Sequence, residues 1–149
     1  MNEIIREIQK KDRKKCLEII KTCLREVNSK NYSSKFIKYL AKSYSKNFMK
    51  RSGMFTIIIE NDSEIIGTGS ISAQGQIRDV FVAVQNHVKG YGKKLMAQLE
   101  EVATLENKKN LFLYSAISAV DFYEKLGYIK VDQLEHSTED IEIRMEKTL

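Results

Sequence analysis

The chain has 149 residues, 42% of them hydrophobic, with two cysteines, no proline and a formal net charge of +5. A sequence of this length buries about two thirds of the surface that its unfolded chain exposes, so neither disulfides nor metal are needed for one domain spanning residues 1–149. The first fifteen residues are charged and no run of eighteen apolar residues occurs, which predicts a cytoplasmic protein with no membrane span or membrane partner.

Ile4 to Glu7 reads as a short strand. The lysines that follow are taken as part of a pattern spread along the whole chain, with short clusters such as Lys10, Lys11, Arg13, Lys14 and Lys15. That pattern favours a solvated surface over a nucleic-acid stripe, so no nucleic acid is expected as a partner. Asp12 begins a helix through Val27 in which Cys16, Leu17, Ile20, Cys23, Leu24 and Val27 form one apolar stripe. The cysteines lie on that stripe with no His or further Cys at metal-ligand spacing, so they read as reduced core thiols and no metal site is expected. Ser33 or Ser34 caps a second helix, with Phe36, Ile37, Leu40 and Tyr44 at helical spacing, ending near Ser45. Phe55 to Glu60 and Ile65 to Ser72 are β-branched or apolar runs around Asn61, Asp62 and Ser63, a hairpin pattern. Ile77 to Val84 is the next strand, after a turn centred on Gly75.

From Gly92 the period changes to helical, with Leu95, Met96, Leu99, Val102 and Ala103 on one face. Leu111 to Tyr114 is a short strand. Ser118 and Asp121 are spaced as a capping box for a helix that Gly127 stops, and two strands follow near Tyr128 to Val131 and Ile141 to Glu146. The order predicts an α/β domain: a mixed, mostly antiparallel sheet with helices on both faces.

The stretch that carries chemistry runs from Val80 to Met96. A strand, Val80-Phe81-Val82, leads through Gln85-Asn86-His87-Val88-Lys89-Gly90-Tyr91-Gly92 into a helix beginning Lys93-Lys94. Two spaced glycines let backbone N–H groups turn toward one point at a helix N-terminus, where the macrodipole favours an anion. Lys89, Lys93 and Lys94 add positive charge. A nucleotide triphosphatase loop would need Gly at 87 and Ser or Thr at 94, which hold His87 and Lys94. A dinucleotide fingerprint would need a small residue at 95, which is Leu95.

The run His87-Val88-Lys89-Gly90-Tyr91-Gly92 resembles the pyrophosphate loop of the GNAT superfamily of N-acetyltransferases, with His87 in place of the usual Gln or Arg and Val84 where many members have Pro. Ser118-Ala119-Val120-Asp121-Phe122-Tyr123-Glu124-Lys125-Leu126-Gly127-Tyr128 is similar to that superfamily's late motif. The resemblance is close over residues 54 to 131. It implies the GNAT-like acyl-coenzyme A N-acyltransferase fold and transfer from acetyl-coenzyme A to an amine in a ternary complex, the acceptor itself staying unknown. It further implies that Val80, Phe81, Val82, His87, Val88, Lys89, Gly90, Tyr91, Gly92, Lys93, Ala119 and Phe122 contact the cofactor. Ser115 substitutes for an Asn that many members carry near it. The same likeness makes Tyr123 the acid that protonates the departing thiolate. Gln76 stands where histone-type relatives have a Glu, leaving Asp79 as the nearest carboxylate for a base or amine anchor. Small members often pair as homodimers. Gln76 and the missing Asn also permit a second reading, a non-enzymatic acyl-coenzyme A sensor.

Overall fold

The computed structural model describes residues 2–149. Strand β1 (Glu3–Glu7) is followed by helices α1 (Arg13–Glu26) and α2 (Ser34–Asn47), strands β2 (Met54–Asn61), β3 (Glu64–Ser72) and β4 (Ile77–Val82), and helix α3 (Tyr91–Leu105). Strand β5 (Asn110–Ser115), helix α4 (Val120–Lys125) and strands β6 (Ile129–Glu135) and β7 (Ile141–Thr148) complete the chain. No helix among the described residues is long and apolar enough to cross a membrane.

The sheet is split. Strands β1-β2-β3-β4 form one antiparallel unit and β5-β7-β6 a second, in those spatial orders. Parallel strands β4 and β5 meet at a single bridge, Gln76 to Phe112, beside the Phe112 N–H that donates to the Gly75 carbonyl at 3.0 Å. Beyond that bridge no ladder joins them. In an antiparallel pair alternate residues direct their N–H and C=O groups away from the partner strand, so half of β4's main-chain groups face the gap instead of β5.

Both faces of the first unit are covered, and β2 shows why its run of isoleucines is continuous instead of alternating. Ile57 and Ile59 pack with Leu95, Met96 and Leu99 of α3, whereas Ile58 packs with Cys16, Ile20 and Leu24 of α1. The β2–β3 hairpin turns through Asp62 (φ 52°) and Ser63 (φ 69°), two left-handed residues that match strand twist. Cys16 and Cys23 are buried and free, as core thiols, and burial pushes them up to about 12 and about 11 respectively.

Two expectations change. Ser118 does not cap α4: it lies in a 3-10 turn, Ile117–Ala119, and Ala119 holds the cap position. The Ser118 N–H is taken instead by the Asn31 side chain at 3.2 Å, a contact between segments 87 residues apart. Strand β6 also extends to Glu135, past the expected Val131, because it ladders along β7 as far as Glu135 with Ile141.

Strand β1 is tied to α1 by Arg6, which donates to both carboxylate oxygens of Asp12 at 2.7 and 3.1 Å and to Glu60 at 3.2 Å. Asp12 is buried and also accepts the Gln9 N–H at 2.7 Å. The Arg6 hydrogen bonds hold its carboxyl below the usual range. Arg6→Ala would leave that charge buried and half-paired, at a cost of about 3 kcal/mol. A depressed carboxyl contributes stability above its unfolded value and loses it as pH falls through the folded one. The parent and Arg6→Ala melting temperatures should therefore differ at pH 7 and converge in strong acid.

Candidate active site

Where β4 and β5 part, a cavity of about 170 Å³ opens. Its walls come from β4 (Arg78 to Phe81), β5 (Leu113 to Ser115), α4 with its entry turn (Ala119, Tyr123), α1 and α2 (Leu24, Leu40, Tyr44) and Glu142 of β7. Of the residues picked out in the sequence, Asp79, Val80, Phe81, Ser115, Ala119 and Tyr123 meet here.

Asp79 is the feature that regular strand geometry does not predict. The β3–β4 ladder slips between Thr68 and Ser70, so that Asp79 and Val80 together oppose Gly69 in a bulge. Asp79 takes a left-handed conformation, φ 56°. Its side chain turns inward: the residue is 8% exposed, and its Oδ1 is buried with no hydrogen-bond partner among the described residues. A buried carboxylate oxygen without a partner costs stability, and strained or unsatisfied groups of this kind cluster at functional sites. Its neighbour is Tyr44, whose hydroxyl is held well above the ordinary tyrosine value by burial and then by the Asp79 charge. Tyr44 is in turn set edge-on against Phe81, ring centroids 5.6 Å apart.

Tyr123 stands on the opposite wall. Its ring packs edge-to-face against Phe122 at 5.0 Å and against buried Tyr128 at 6.0 Å. Tyr128 is anchored by its hydroxyl to Glu100 at 2.8 Å, and Glu100 also pairs with Lys147 at 2.8 Å. Helix α4 ends in a Schellman motif, Tyr128 N–H to Tyr123 carbonyl at 3.1 Å with Gly127 at φ 98°, which fixes the ring's approach. Burial pushes the Tyr123 hydroxyl up to about 12. It therefore stays protonated at physiological pH and can donate but not accept a proton there.

The loop from His87 to Lys93 lies past the end of β4. Gly90 holds φ 84° and a Cβ there would find nothing within 4 Å, so it serves conformation alone; at Gly92 a Cβ would meet the Phe122 ring at 3.2 Å, so Gly92 serves close approach. That contact makes the start of α3 continuous with α4 and hence with the cavity. Val88 takes φ 59°, which a β-branched residue rarely adopts, with its side chain wholly in solvent. His87 turns back instead of presenting its ring at the loop: its Nε2–H donates to the Val82 carbonyl at 2.7 Å, which also accepts from the Cys23 thiol at 3.1 Å. These two bonds pin the strand end and loop to α1. Lys89 and Lys93 are exposed beside Tyr91 and Gly92 at the loop, while the Lys94 ammonium pairs with Glu3 at 2.6 Å. Ser115 is buried with its hydroxyl donating to the Ala116 carbonyl at 2.7 Å, so its oxygen is held close to its own backbone.

Several lining residues do not read as site residues in the sequence, where Tyr44 falls on the apolar stripe of the second helix. Tyr32, Tyr44, Arg78 and Glu142 line the cavity; the first two sit on or beside an apolar helical stripe that reads as core. Outside the cavity lining, Asp140 accepts from both the N–H and the hydroxyl of Ser33 at 2.7 Å and from the Ser137 hydroxyl at 2.8 Å. This docks the β6–β7 loop on the capped end of α2, where the Ser33 oxygen also accepts the Phe36 N–H at 3.2 Å.

A sheet parted beside a strand that turns half of its main-chain groups toward the gap, with a glycine loop opening a helix at the end of that strand, is the arrangement of an acyltransferase scaffold. Residues 18–149 match the acetyltransferase (GNAT) domain family, and the chain belongs to that family. The fold is shared with a GCN5-related N-acetyltransferase from Rhodopseudomonas palustris, at a TM-score of 0.89 and 18% identity over 100% of this chain and 97% of that one. It is shared also with the PaiA N-acetyltransferase of Thermoplasma acidophilum, solved in complex with coenzyme A, at 0.83 and 17% over 100% of both chains. An aminoglycoside 6'-N-acetyltransferase complexed with coenzyme A matches at 0.74 and 15%, over 97% of this chain and 96% of that one. No curated protein sequence matches significantly.

Proposed function

We propose that the protein is an N-acetyltransferase that passes an acetyl group from acetyl-coenzyme A to a primary amine of a small molecule or peptide, directly and without an acyl-enzyme. The observation that carries this reading is the buried Asp79 carboxylate, its Oδ1 without a hydrogen-bond partner among the described residues, lining one cavity with Tyr123. The main-chain groups of β4 that face the gap around Val80 and Phe81 support an extended cofactor arm there, the Val82 carbonyl being taken by His87 and Cys23, and amide groups at Gly90 to Gly92, with Lys89 and Lys93, suit its pyrophosphate. A backbone N–H aimed at the thioester oxygen stabilises the charge that gathers there.

An acceptor that arrives as an ammonium first gives its extra proton through Asp79 to water, since an ordinary alkylamine has a pKa near about 10.4. Asp79 then accepts a hydrogen bond from the neutral amine and takes the proton released as nitrogen bonds to the carbonyl carbon. The carbon–sulfur bond breaks, and Tyr123 donates its proton to the departing thiolate. Proton exchange through water resets the two groups.

Asp79→Asn tests the assignment. Asn tolerates the left-handed backbone and removes an unsatisfied charge, so the melting temperature should hold or rise while turnover falls. Without Asp79 the rate should follow the acceptor's own ionisation, so the loss should be larger at pH 7 than at pH 9.5. An equal loss at both values would remove Asp79 from proton transfer. Tyr123, in contrast, should produce no falling limb until about pH 11 or above, given its raised value of about 12.

The sensor reading draws on Gln76, which lies off the cavity and is engaged in the bridge to Phe112. A screen of amines with acetyl-coenzyme A separates the two readings: release of free thiol with one acceptor class supports the enzyme, and binding without release across the panel supports the sensor.

A further inference from the structure

Charge is partitioned in this fold. From Lys10 to Arg51 the chain carries fourteen Lys and Arg against three Asp and Glu, a net +11, while the other residues carry eleven against seventeen, a net −6. The whole positive excess thus sits on α1, α2 and their adjoining turns, which corrects the reading of lysine as evenly spread. Eleven of those fourteen cations are exposed, and of these only Arg25 is within 4.0 Å of a carboxylate among the described residues.

The cations form a continuous strip. Lys35, Lys38, Lys42 and Lys46 recur at intervals of three and four along the exposed side of α2, a row of about 16 Å. Helix α1 begins beside the end of α2, because Arg13 donates to the Ser45 carbonyl at 2.9 Å and the Phe48 carbonyl at 3.0 Å. Lys10, Lys11 and Lys14, which with Arg13, Lys21 and a single acid, Glu18, line a surface depression, therefore continue the row beyond Lys46. Like charges at i and i+4 repel by a few tenths of a kcal/mol per pair, and the pairs Lys38–Lys42 and Lys42–Lys46 stand in succession with no acid on α2 to relieve them. An anionic ligand along the strip would relieve that repulsion.

We propose that the α1–α2 face binds the phosphate backbone of a nucleic acid. Successive lysines on α2 stand about 4.5 to 6 Å apart along the helix axis, against a phosphate every ~3.4 Å of duplex axis per strand, so they reach successive or alternate phosphates. An anionic membrane is the weaker match. A helix that lies on a bilayer inserts an apolar face, whereas the apolar faces of α1 and α2 are spent on the core. Tyr39 is the one large apolar side chain strongly exposed on these helices, at 64%. Set between Lys38 and Lys42 and stacked on Phe36 at 6.0 Å, it offers a surface on which an unpaired base can stack. This inference rests on surface charge, independently of the catalytic reading.

The test is fluorescence anisotropy with labelled 20-base-pair DNA, 20-base-pair RNA and 20-nucleotide single-stranded RNA, without acetyl-coenzyme A, across a salt series from 50 mM. For about six phosphate contacts the slope of log affinity against log salt should be about −5, and each contact removed should lower it by about one. Lys38→Gln, Lys42→Gln, Lys46→Gln together, and separately Lys10→Gln, Lys11→Gln, Lys14→Gln together, should each flatten the slope and weaken binding at least tenfold. Lys109→Gln, Lys125→Gln, Lys130→Gln together should change neither. A preference among the three probes supports the proposal and identifies the source of the phosphates. No binding to any probe at 50 mM salt would overturn it. So would equal weakening by the third triple variant, or binding to phosphatidylserine vesicles with none to nucleic acid. Melting temperatures of the variants exclude unfolding as the cause.

Discussion

Replacing Tyr123 with Phe should lower acceptor-dependent thiol release by roughly a hundredfold or more, the scale of a lost general acid, with little change in acetyl-coenzyme A affinity. The substitution keeps the ring that packs on Phe122 and Tyr128 and removes a hydroxyl that bonds to nothing in the described structure. Stability should therefore stay near that of the parent, which separates chemistry from folding. Slow leaving of the thiolate would also make the variant depend on the leaving group, so an acyl donor with a more acidic thiol should recover part of the rate. Full activity in a well-folded Tyr123→Phe protein would show that Tyr123 is a packing residue and that the sulfur departs unaided or through water.

Gly92→Leu should abolish the thermal shift that acetyl-coenzyme A produces. A bound ligand at about a hundred times its Kd stabilises by about 2.7 kcal/mol, roughly 5 to 10 °C in a domain of this size. At Gly92 even a Cβ stands 3.2 Å from the Phe122 ring, so a branched side chain must displace that ring from the start of α3. The added bulk then stands beside the loop amides at the helix start. Gly90→Ala tests a different property, since it meets no atom within 4 Å and only strains φ 84°; it should cost about 1 to 2 kcal/mol of stability and weaken binding less. A normal thermal shift in a folded Gly92→Leu protein would mean that the loop does not hold the cofactor.

Local pattern carried much of this fold. The hairpin at Asp62 and Ser63, the stripes on α1 and α2, and the strand, glycine loop and helix from Val80 onward all depend on neighbours within a few residues, and the structure has them at those places. What local pattern could not show depends on contacts between distant segments. Arg78-Asp79-Val80 reads as plain strand, and only pairing with Gly69 reveals the bulge that turns Asp79 inward. Ser118 has the spacing of a cap, yet Asn31 claims its N–H. Lys94 adjoins the anion loop in sequence, yet Glu3, 91 residues away, claims its ammonium. Tyr44 has the spacing of a core residue, and it becomes a cavity wall because β4 and β5 share a single bridge. The charge partition was visible in the sequence from the start, but its meaning required α1 and α2 to lie side by side on one face.

Calorimetric titration with acetyl-coenzyme A tests the central claim most directly. The account predicts saturable binding at one site per chain, weakened by added salt because the ligand is a polyanion beside Lys89 and Lys93, and binding of ATP or NAD that is far weaker. Absence of heat with acetyl-coenzyme A up to millimolar concentration, in protein shown to be folded, would contradict it.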